Sequence, residues 1–356
     1  MSEEMLKGDP MAEEHVGLPL SIRRQMYHHL HTTQNHPVKI VKDLIYSQMA
    51  KIPGFLTFDG SPPVVTPEQN FDSLLIPKDH PSRSKSDTYY LSEGRLLRTH
   101  TSAHQVDLLR MGHRKFLVTG QVYRKDDIDA THYPIFHQME GVALMDPGKD
   151  PVDDLKETIT HVLKGLFPNS PIDFKPDYFP FTEPSWEVVV HRMGELEVAG
   201  CGVIHPGVLM NAGLDPGKER GWAFGLGLDR LAMTLFEIPD IRILWSEDSR
   251  FLSQFKDKEI TVFKPFSSQP ACYKDIAFWL EGDYQEKDFL EIVREEAGIL
   301  VEQVREIDSF KKDGKTSKCY RIVYRSMDRT LRNGEVDEIQ ECVRHGVSKR
   351  LNVKLR

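Results

Sequence analysis

Apolar residues recur along this chain with two different periods. Phe116 to Tyr123 and Ile135 to Met145 are rich in β-formers, and Arg124 to Pro134 between them is charged and polar. That pattern predicts two strands joined by a loop. In the returning strand, alternation puts Phe136, Gln138, Glu140 and Val142 on one face. Other stretches carry a helical period. Ser21 can cap a helix through Ile22, Met26 and Leu30. Pro37 can open a second helix, with Val38, Ile40, Val41, Leu44, Ile45 and Met49 at helical spacing. A short helix is expected over His104 to Met111. A longer one is expected over Val152 to Phe167, with Leu155, Ile159, Val162 and Leu163 as its apolar stripe.

Further on, an aromatic-rich loop, PDYFPFT, leads into a strand, and Tyr178 and Phe179 are expected in the core. Glu195 to Gly202 reads as a strand that ends in glycines. Trp222 to Met233 reads as a strand, a Gly-x-Gly turn and the start of a helix. Beyond residue 260 the pattern changes. Ile260 to Phe266, Lys274 to Leu280, Val301 to Phe310 and Lys318 to Arg325 read as strands, with a short last strand over Val353 to Leu355. Gln285 to Leu300 and Glu335 to Leu351 read as helices. The order β-α-β-β-α-β is ferredoxin-like.

Length and charge bound this picture without changing it. The chain has 356 residues, enough for two domains, and 39% hydrophobic residues. No apolar run is long enough for a transmembrane helix, so no membrane partner is expected. The four cysteines show no C-x-x-C spacing and indicate neither a zinc site nor a disulfide framework. The cluster His28, His29, His31 and His36 lacks a neighbouring carboxylate or Cys to complete a ligand set, so no metal site is read there. The net charge is −8, yet from Lys311 onward 13 Lys and Arg stand against 6 Asp and Glu. A basic end on an acidic body fits either an RNA contact or a solvated surface.

Candidate chemistry concentrates in three places. Gln138 and Glu140 are costly to bury in an apolar strand without partners. Alone they read as a satisfied core pair. With Arg124 at the end of the outgoing strand and His132 in the loop, they suit a ligand bearing both a phosphate and an amino group. Leu97 to Gln105 is a second polar cluster, and helix capping explains only part of it. The third is Arg230, in a first helical turn, where the dipole disfavours a cation; that suggests an anion in front of it, against the alternative of a surface Arg. The carboxylate of Glu197, in an apolar strand, is notable beside them.

The segments YRKDDIDATHYPIFHQMEG and GLGLDRLAM resemble motifs 2 and 3 of the class II aminoacyl-tRNA synthetases. NHPVKIVKDLI resembles the helix of motif 1, and LRTHTSAHQ and FPFTEPS resemble segments of phenylalanyl-tRNA synthetase in its single-chain, organellar form. QPACYKDIAFWL and KTSKCYRIVYRSMDRTL resemble its C-terminal ferredoxin-fold anticodon-binding domain. The resemblance implies an α+β protein: an antiparallel class II catalytic sheet flanked by helices over 21–245, a linker over 246–261 and the ferredoxin-like domain over 262–356. Residues 1–20, acidic and bearing Gly and Pro, are expected to be poorly ordered and do not read as a transit peptide.

The resemblance also implies roles. Arg124 binds the α-phosphate of ATP, His132 helps hold the triphosphate, and Arg230 lies on the adenine and γ-phosphate side, with Mg²⁺ as cofactor. Asp229 stands where this subfamily commonly has Glu. Gln138 and Glu140 hold the amino group of L-phenylalanine. His100, Ser102 and Gln105 contact the amino acid, with Ala103 and His104 in the same wall. Thr131, Tyr133, Met139, Glu197, Trp222 and Phe224 complete the substrate-binding set. Lys318, Arg321, Arg325 and Arg329 are expected to bind tRNA(Phe), with Tyr320 or Tyr324 as stacking platforms. The implied protein is a monomer of the mitochondrial matrix, or also of the chloroplast, whose second domain swings to reach the anticodon. A silent tRNA-binding paralogue and an adenylating ligase of another substrate are the alternatives. Arg124, Glu140 and Arg230 speak against the first, and the C-terminal domain against the second.

Overall fold

In the computed structural model the described residues are 18–146, 148–192, 194–246, 249–265, 270–312, 314–326 and 329–356. Most of the N-terminal segment expected to be poorly ordered lies outside them.

The two predicted strands form adjacent inner strands of a seven-stranded sheet. Its strands are β1 (Leu56–Phe58), β4 (Lys115–Tyr123), β5 (Ile135–Leu144), β6 (Ile172–Phe179), β7 (Thr182–His191), β8 (Glu195–Ile204) and β9 (Gly221–Gly227). A separate ribbon pairs β2 (Val64–Val65) with β3 (Leu96–Leu97). The spatial order is β1-β4-β5-β9-β8-β7-β6, and every pair is antiparallel except β1 with β4. β4 and β5 are buried on both faces, so they read as near-continuous apolar runs. One face, with Leu117, Met139 and Trp222, packs into the larger core under the helices Pro37–Met49, Pro151–Leu166 and Leu228–Phe236. The other, with Phe116, Val118 and Val142, packs on Gln105–Arg110 and Pro206–Asn211.

The helix starts follow from capping. Pro37 is the first residue of its helix, and the His36 Nδ1 accepts from the Val38 amide at 3.1 Å. The other ring nitrogen of His36 lies 2.8 Å from the Leu244 carbonyl, to which it donates. Part of the histidine cluster is thus committed to packing. Asp150 caps Pro151–Leu166 by accepting from the Val152 amide at 2.7 Å.

The second sheet contains β10 (Cys272–Leu280), β11 (Val301–Lys312), β12 (Lys315–Tyr324) and β13 (Val353–Leu355), in the order β11-β12-β10-β13. The helices Glu286–Ala297 and Asn333–Arg350 complete the β-α-β-β-α-β order. The whole chain is mixed α+β, as expected. One strand expectation fails. Residues 260–265 carry no strand, and residue 266 lies outside the described ones; the first strand of this sheet is β10. Phe251, Phe255 and Phe263 are buried in the larger core beside the seven-stranded sheet, which ties down the segment expected to be a linker.

The two sheets meet at the loop after β4. Ile128 from that loop is buried among the apolar residues of the second domain, and its carbonyl accepts from the Val304 amide at 3.1 Å. Arg294 donates to the carbonyls of Asp126 and Asp127, the latter at 2.9 Å. Tyr89 donates to Glu291 at 2.8 Å, and Lys287 pairs with Asp87. Replacing Arg294 by Ala is expected to loosen this seat without unfolding either sheet. Amide exchange of residues 126–130 should accelerate by at least about tenfold while β4 and β5 stay protected. Unchanged exchange across 126–130 would contradict the assignment of Arg294 as the clamp.

Candidate active site

Two adjoining cavities open along β5, of about 590 Å³ and 250 Å³. Arg124, Gln138 and Glu197 line both. The larger is walled by Thr99 to Ser102, Glu140, Phe179 to Thr182, Cys201 and Ala223 to Gly225. The smaller adds Thr131, His132, Tyr133 and Arg230.

Arg124 leaves β4 beside the loop. Its Nε donates to the Thr99 carbonyl at 2.8 Å, and the guanidinium lies over the Phe136 ring at 5.1 Å. No carboxylate among the described residues forms an ion pair with it. A stacked guanidinium with donors to spare, in a cavity wall, is built for an anion. The Thr99 carbonyl is itself fixed by Asn70. The Asn70 Oδ1 accepts from the Thr99 amide at 3.0 Å, and its Nδ2 donates to the Thr99 hydroxyl at 2.9 Å.

Glu140 is the opposite case. It is 1% exposed, and its Oε2 has no hydrogen-bond partner among the described residues. Burial pushes its carboxyl up to about 8, although the Ser102 hydroxyl pulls the other way. A buried carboxyl left incomplete is a receptor for a cation that arrives with a ligand. Gln138 lies two residues along the same face. His100 stands across the cavity, driven down to about 3 by burial and by the Arg124 charge, so it is neutral.

Behind this wall lies a cation that the sequence reading did not single out. Arg98 is 2% exposed. It donates to the carbonyls of Gln121 at 2.7 Å and Ser61 at 3.2 Å, and to the His104 Nε2 at 2.7 Å. Gly120 makes room for it: a Cβ there would come within 2.1 Å of the Arg98 Nη2.

In the smaller cavity, Arg230 donates to Glu197 at 3.5 Å, and both line it. His132 is oriented by Asp129, whose carboxylate lies 2.7 Å from its Nδ1.

Several residues implied by resemblance stand outside both cavities. Residues 101–104 form a single 3-10 turn, so Thr101 and Ser102 face the larger cavity while Ala103, His104 and Gln105 pack behind it. Met139 alternates to the opposite face of β5 from Gln138 and Glu140 and lies in the large core. Trp222 is stacked against Phe224 at 5.7 Å, one step deeper, and donates to Asp154 at 2.7 Å. Tyr178, expected in the core, is 77% exposed at the cavity rim. The Asn70 and Arg98 contacts escaped sequence reasoning because their partners lie far away in the chain. Lys287 escaped because it reaches the larger cavity from the other domain.

The residues expected to bind tRNA stand differently from the sequence expectation. Tyr320 and Tyr324 are both fully buried, so neither offers a stacking face. Lys318 shares their face of β12, toward the helix side, and pairs with Glu306 at 2.5 Å. Arg321 pairs with Asp275 at 2.8 Å, Arg325 with Glu302 at 3.0 Å, and Arg329 with Glu335. The open face of the sheet instead carries Tyr273, Trp279 and Phe310. Arg321 lies over Tyr273 at 4.8 Å, and Arg356 lies over Phe310 at 5.1 Å.

A family model for the class II core domain of tRNA synthetases (F) matches residues 21–255, and one for the ferredoxin-fold anticodon binding domain matches 267–356. The chain belongs to the class II aminoacyl-tRNA synthetases. The solved pyrrolysyl-tRNA synthetase of Desulfitobacterium hafniense shares the fold, with a TM-score of 0.50 at 17% identity over 63% of this chain and 76% of that one. Among curated relatives, a chloroplastic/mitochondrial phenylalanine–tRNA ligase of Arabidopsis thaliana is 49% identical over 95% of this chain and 82% of its own length. The mitochondrial phenylalanine–tRNA ligase of Mus musculus is 42% identical over 97% and 86%. Within its class, the chain is a member of the phenylalanine–tRNA ligase family, a family of ATP-dependent ligases.

The raised carboxyl of Glu140 sets a pH dependence. An ammonium ligand needs the ionised form, which is the minority below about pH 8. Affinity for the amino acid should therefore rise with pH from 6 toward 8, by up to about tenfold per unit, and then level off. Titration calorimetry would read this, and Glu140→Gln should flatten the profile and weaken binding. A flat profile in the unaltered protein would exclude the assigned role.

Proposed function

We propose that this chain activates L-phenylalanine with ATP and transfers it to the 2′-hydroxyl of the terminal adenosine of tRNA(Phe). The observation that carries this reading is the pairing along one cavity wall of an anion-ready Arg124 with the incomplete, buried Glu140. The phenylalanine ammonium lies against Glu140 and Gln138, and its ring enters the slot between Phe179, Phe181 and Phe224. Its carboxylate attacks the α-phosphate, and pyrophosphate leaves. The 2′-hydroxyl then attacks the carbonyl of the adenylate, and AMP leaves. Arg124 stabilises charge on the α-phosphate, and His132 and Arg230 hold the rest of the triphosphate. No side chain acts as a covalent nucleophile, so catalysis is orientation plus electrostatics. Glu197 lines both cavities and has the donor chemistry that Mg²⁺ takes, and an ion held there with the nucleotide would further neutralise phosphate charge.

The anticodon is read on the open face of the second sheet. Exposed aromatics interleaved with arginines are a stacking platform for single-stranded bases. Arg321, Arg325 and Arg329 supply charge at its edges once tRNA displaces their carboxylate partners, whereas Lys318 faces away from it. The protein acts as a monomer. In support, the motif 1 helix Pro37–Met49 buries its apolar side within its own chain, against Leu228–Phe236 and Pro151–Leu166. The mitochondrial matrix is the proposed compartment, on the organellar relatives.

ATP–pyrophosphate exchange with each of the twenty amino acids tests the assignment. Exchange is expected chiefly with phenylalanine, and Arg124→Ala should lower it by about a hundredfold or more. No exchange with any amino acid would favour a silent tRNA-binding protein. The same assay tests the slot. An apolar pocket rejects one added hydroxyl by only about a hundredfold, so tyrosine should be activated measurably. Tyrosine exchange below detection at saturation would require a polar discriminator.

A further inference from the structure

Asp229 and His137 each precede a residue of the proposed site, Arg230 and Gln138. The β5–β9 ladder stops where Gln138 faces Gly227, because β9 there passes into the helix Leu228–Phe236. The next amide along β5, that of His137, finds no strand on this side. The Asp229 carboxylate takes the place of the missing strand and accepts from it at 2.5 Å. The His137 Nδ1 lies 3.2 Å from both oxygens of the same carboxylate, so it donates there too. Both residues are buried, at 0% and 2% exposure. The imidazole is held flat against Trp245 at 5.8 Å and tilted against His31 at 5.2 Å. Its Nε2 has no hydrogen-bond partner among the described residues. A bare Nε2 leaves Nδ1 as the nitrogen that the surroundings use, and that nitrogen faces Asp229.

We infer that His137 is a positioning residue for the reaction: through two donors to Asp229 it fixes the start of the motif 3 helix, and with it Arg230, relative to Gln138. The inference rests on the reading of Arg230 and Gln138 as nucleotide and amino-acid ligands. His137 touches neither cavity, and it acts by setting how the two halves of the site lie against each other. Asp229 itself lines the smaller cavity beside Arg230, so the clamp joins a wall of that cavity to the strand that carries Gln138.

The test compares two amides at position 137. In His137→Asn the Nδ2–H falls where the Nδ1–H lies. In His137→Gln the amide falls at the Nε2 end, which has no partner. Both lose the ring stack, so a purely structural role predicts equal effects. We expect His137→Gln to raise the Kd for ATP, by calorimetry, and the KM for ATP and phenylalanine, each by about tenfold. His137→Asn should stay within about threefold of the unaltered protein, with a melting temperature similar to that of His137→Gln. Equal effects of the two, or an unchanged Kd in His137→Gln, would overturn the inference. If His137→Gln does not fold, Asp229→Asn carries the same expectation, a tenfold weaker Kd for ATP, and an unchanged value overturns it. Unaltered protein that binds ATP without exchange would refute the proposed function and leave the clamp standing. Protein that binds no ATP would refute both.

Discussion

The site depends on the register of β5 against β9. Opposite Gln138 stands Gly227, opposite Glu140 stands Gly225, and opposite Phe224 stands Gly141. Each of these three side chains thus faces a glycine on the neighbouring strand. A Cβ on Gly141 would lie 2.3 Å from the Phe224 ring. A shift of one residue would place Gln138 opposite Leu226 and turn Glu140 to the helix-covered core. Pairing with β4 on the other side holds β5 in place over its length.

That register makes possible an electrostatic arrangement that folding alone would not favour. Glu140 is buried short of partners, Arg98 is buried among carbonyls and an imidazole, and Arg124 leans on a ring instead of a carboxylate. Each lowers stability relative to an apolar residue of similar shape. The two large cores on either face of the sheet offset that cost. Arg124 keeps its charge in the wall of both cavities, so an anion entering there meets a donor that is already oriented.

The periodic parts of this structure were legible in the sequence. The β4–β5 hairpin and the helix over Pro151–Leu166 fall within a residue of their expected bounds, because their apolar patterns are long and regular. The expectation for Ile260 to Phe266 failed on a short run that is pinned down by Phe263 rather than paired in a sheet. Tyr178 misled for another reason: an aromatic residue at the end of an edge strand, beside a cavity, has no second layer to enter. Tyr320 and Tyr324 were readable as sharing a face, but which face the helices would cover is a tertiary fact. The support of Arg124 through Asn70 and Thr99 spans 29 residues of sequence and leaves no local signature.

The loop after β4 joins these themes. It starts at Arg124 and ends near His132, so the placing of both side chains in the cavity walls depends on how it is held. Its middle is held by the other domain, with Ile128 in that domain's core and Arg294 on its carbonyls. An apolar side chain and two backbone carbonyls are satisfied only while the second domain is docked. Any movement of that domain toward an anticodon must therefore release the loop, and release costs the burial of Ile128 together with these hydrogen bonds. The partner that can compensate is one that supplies its own contacts to the freed loop. The docking of the second domain and the geometry of this loop are thus coupled through Ile128 and Arg294.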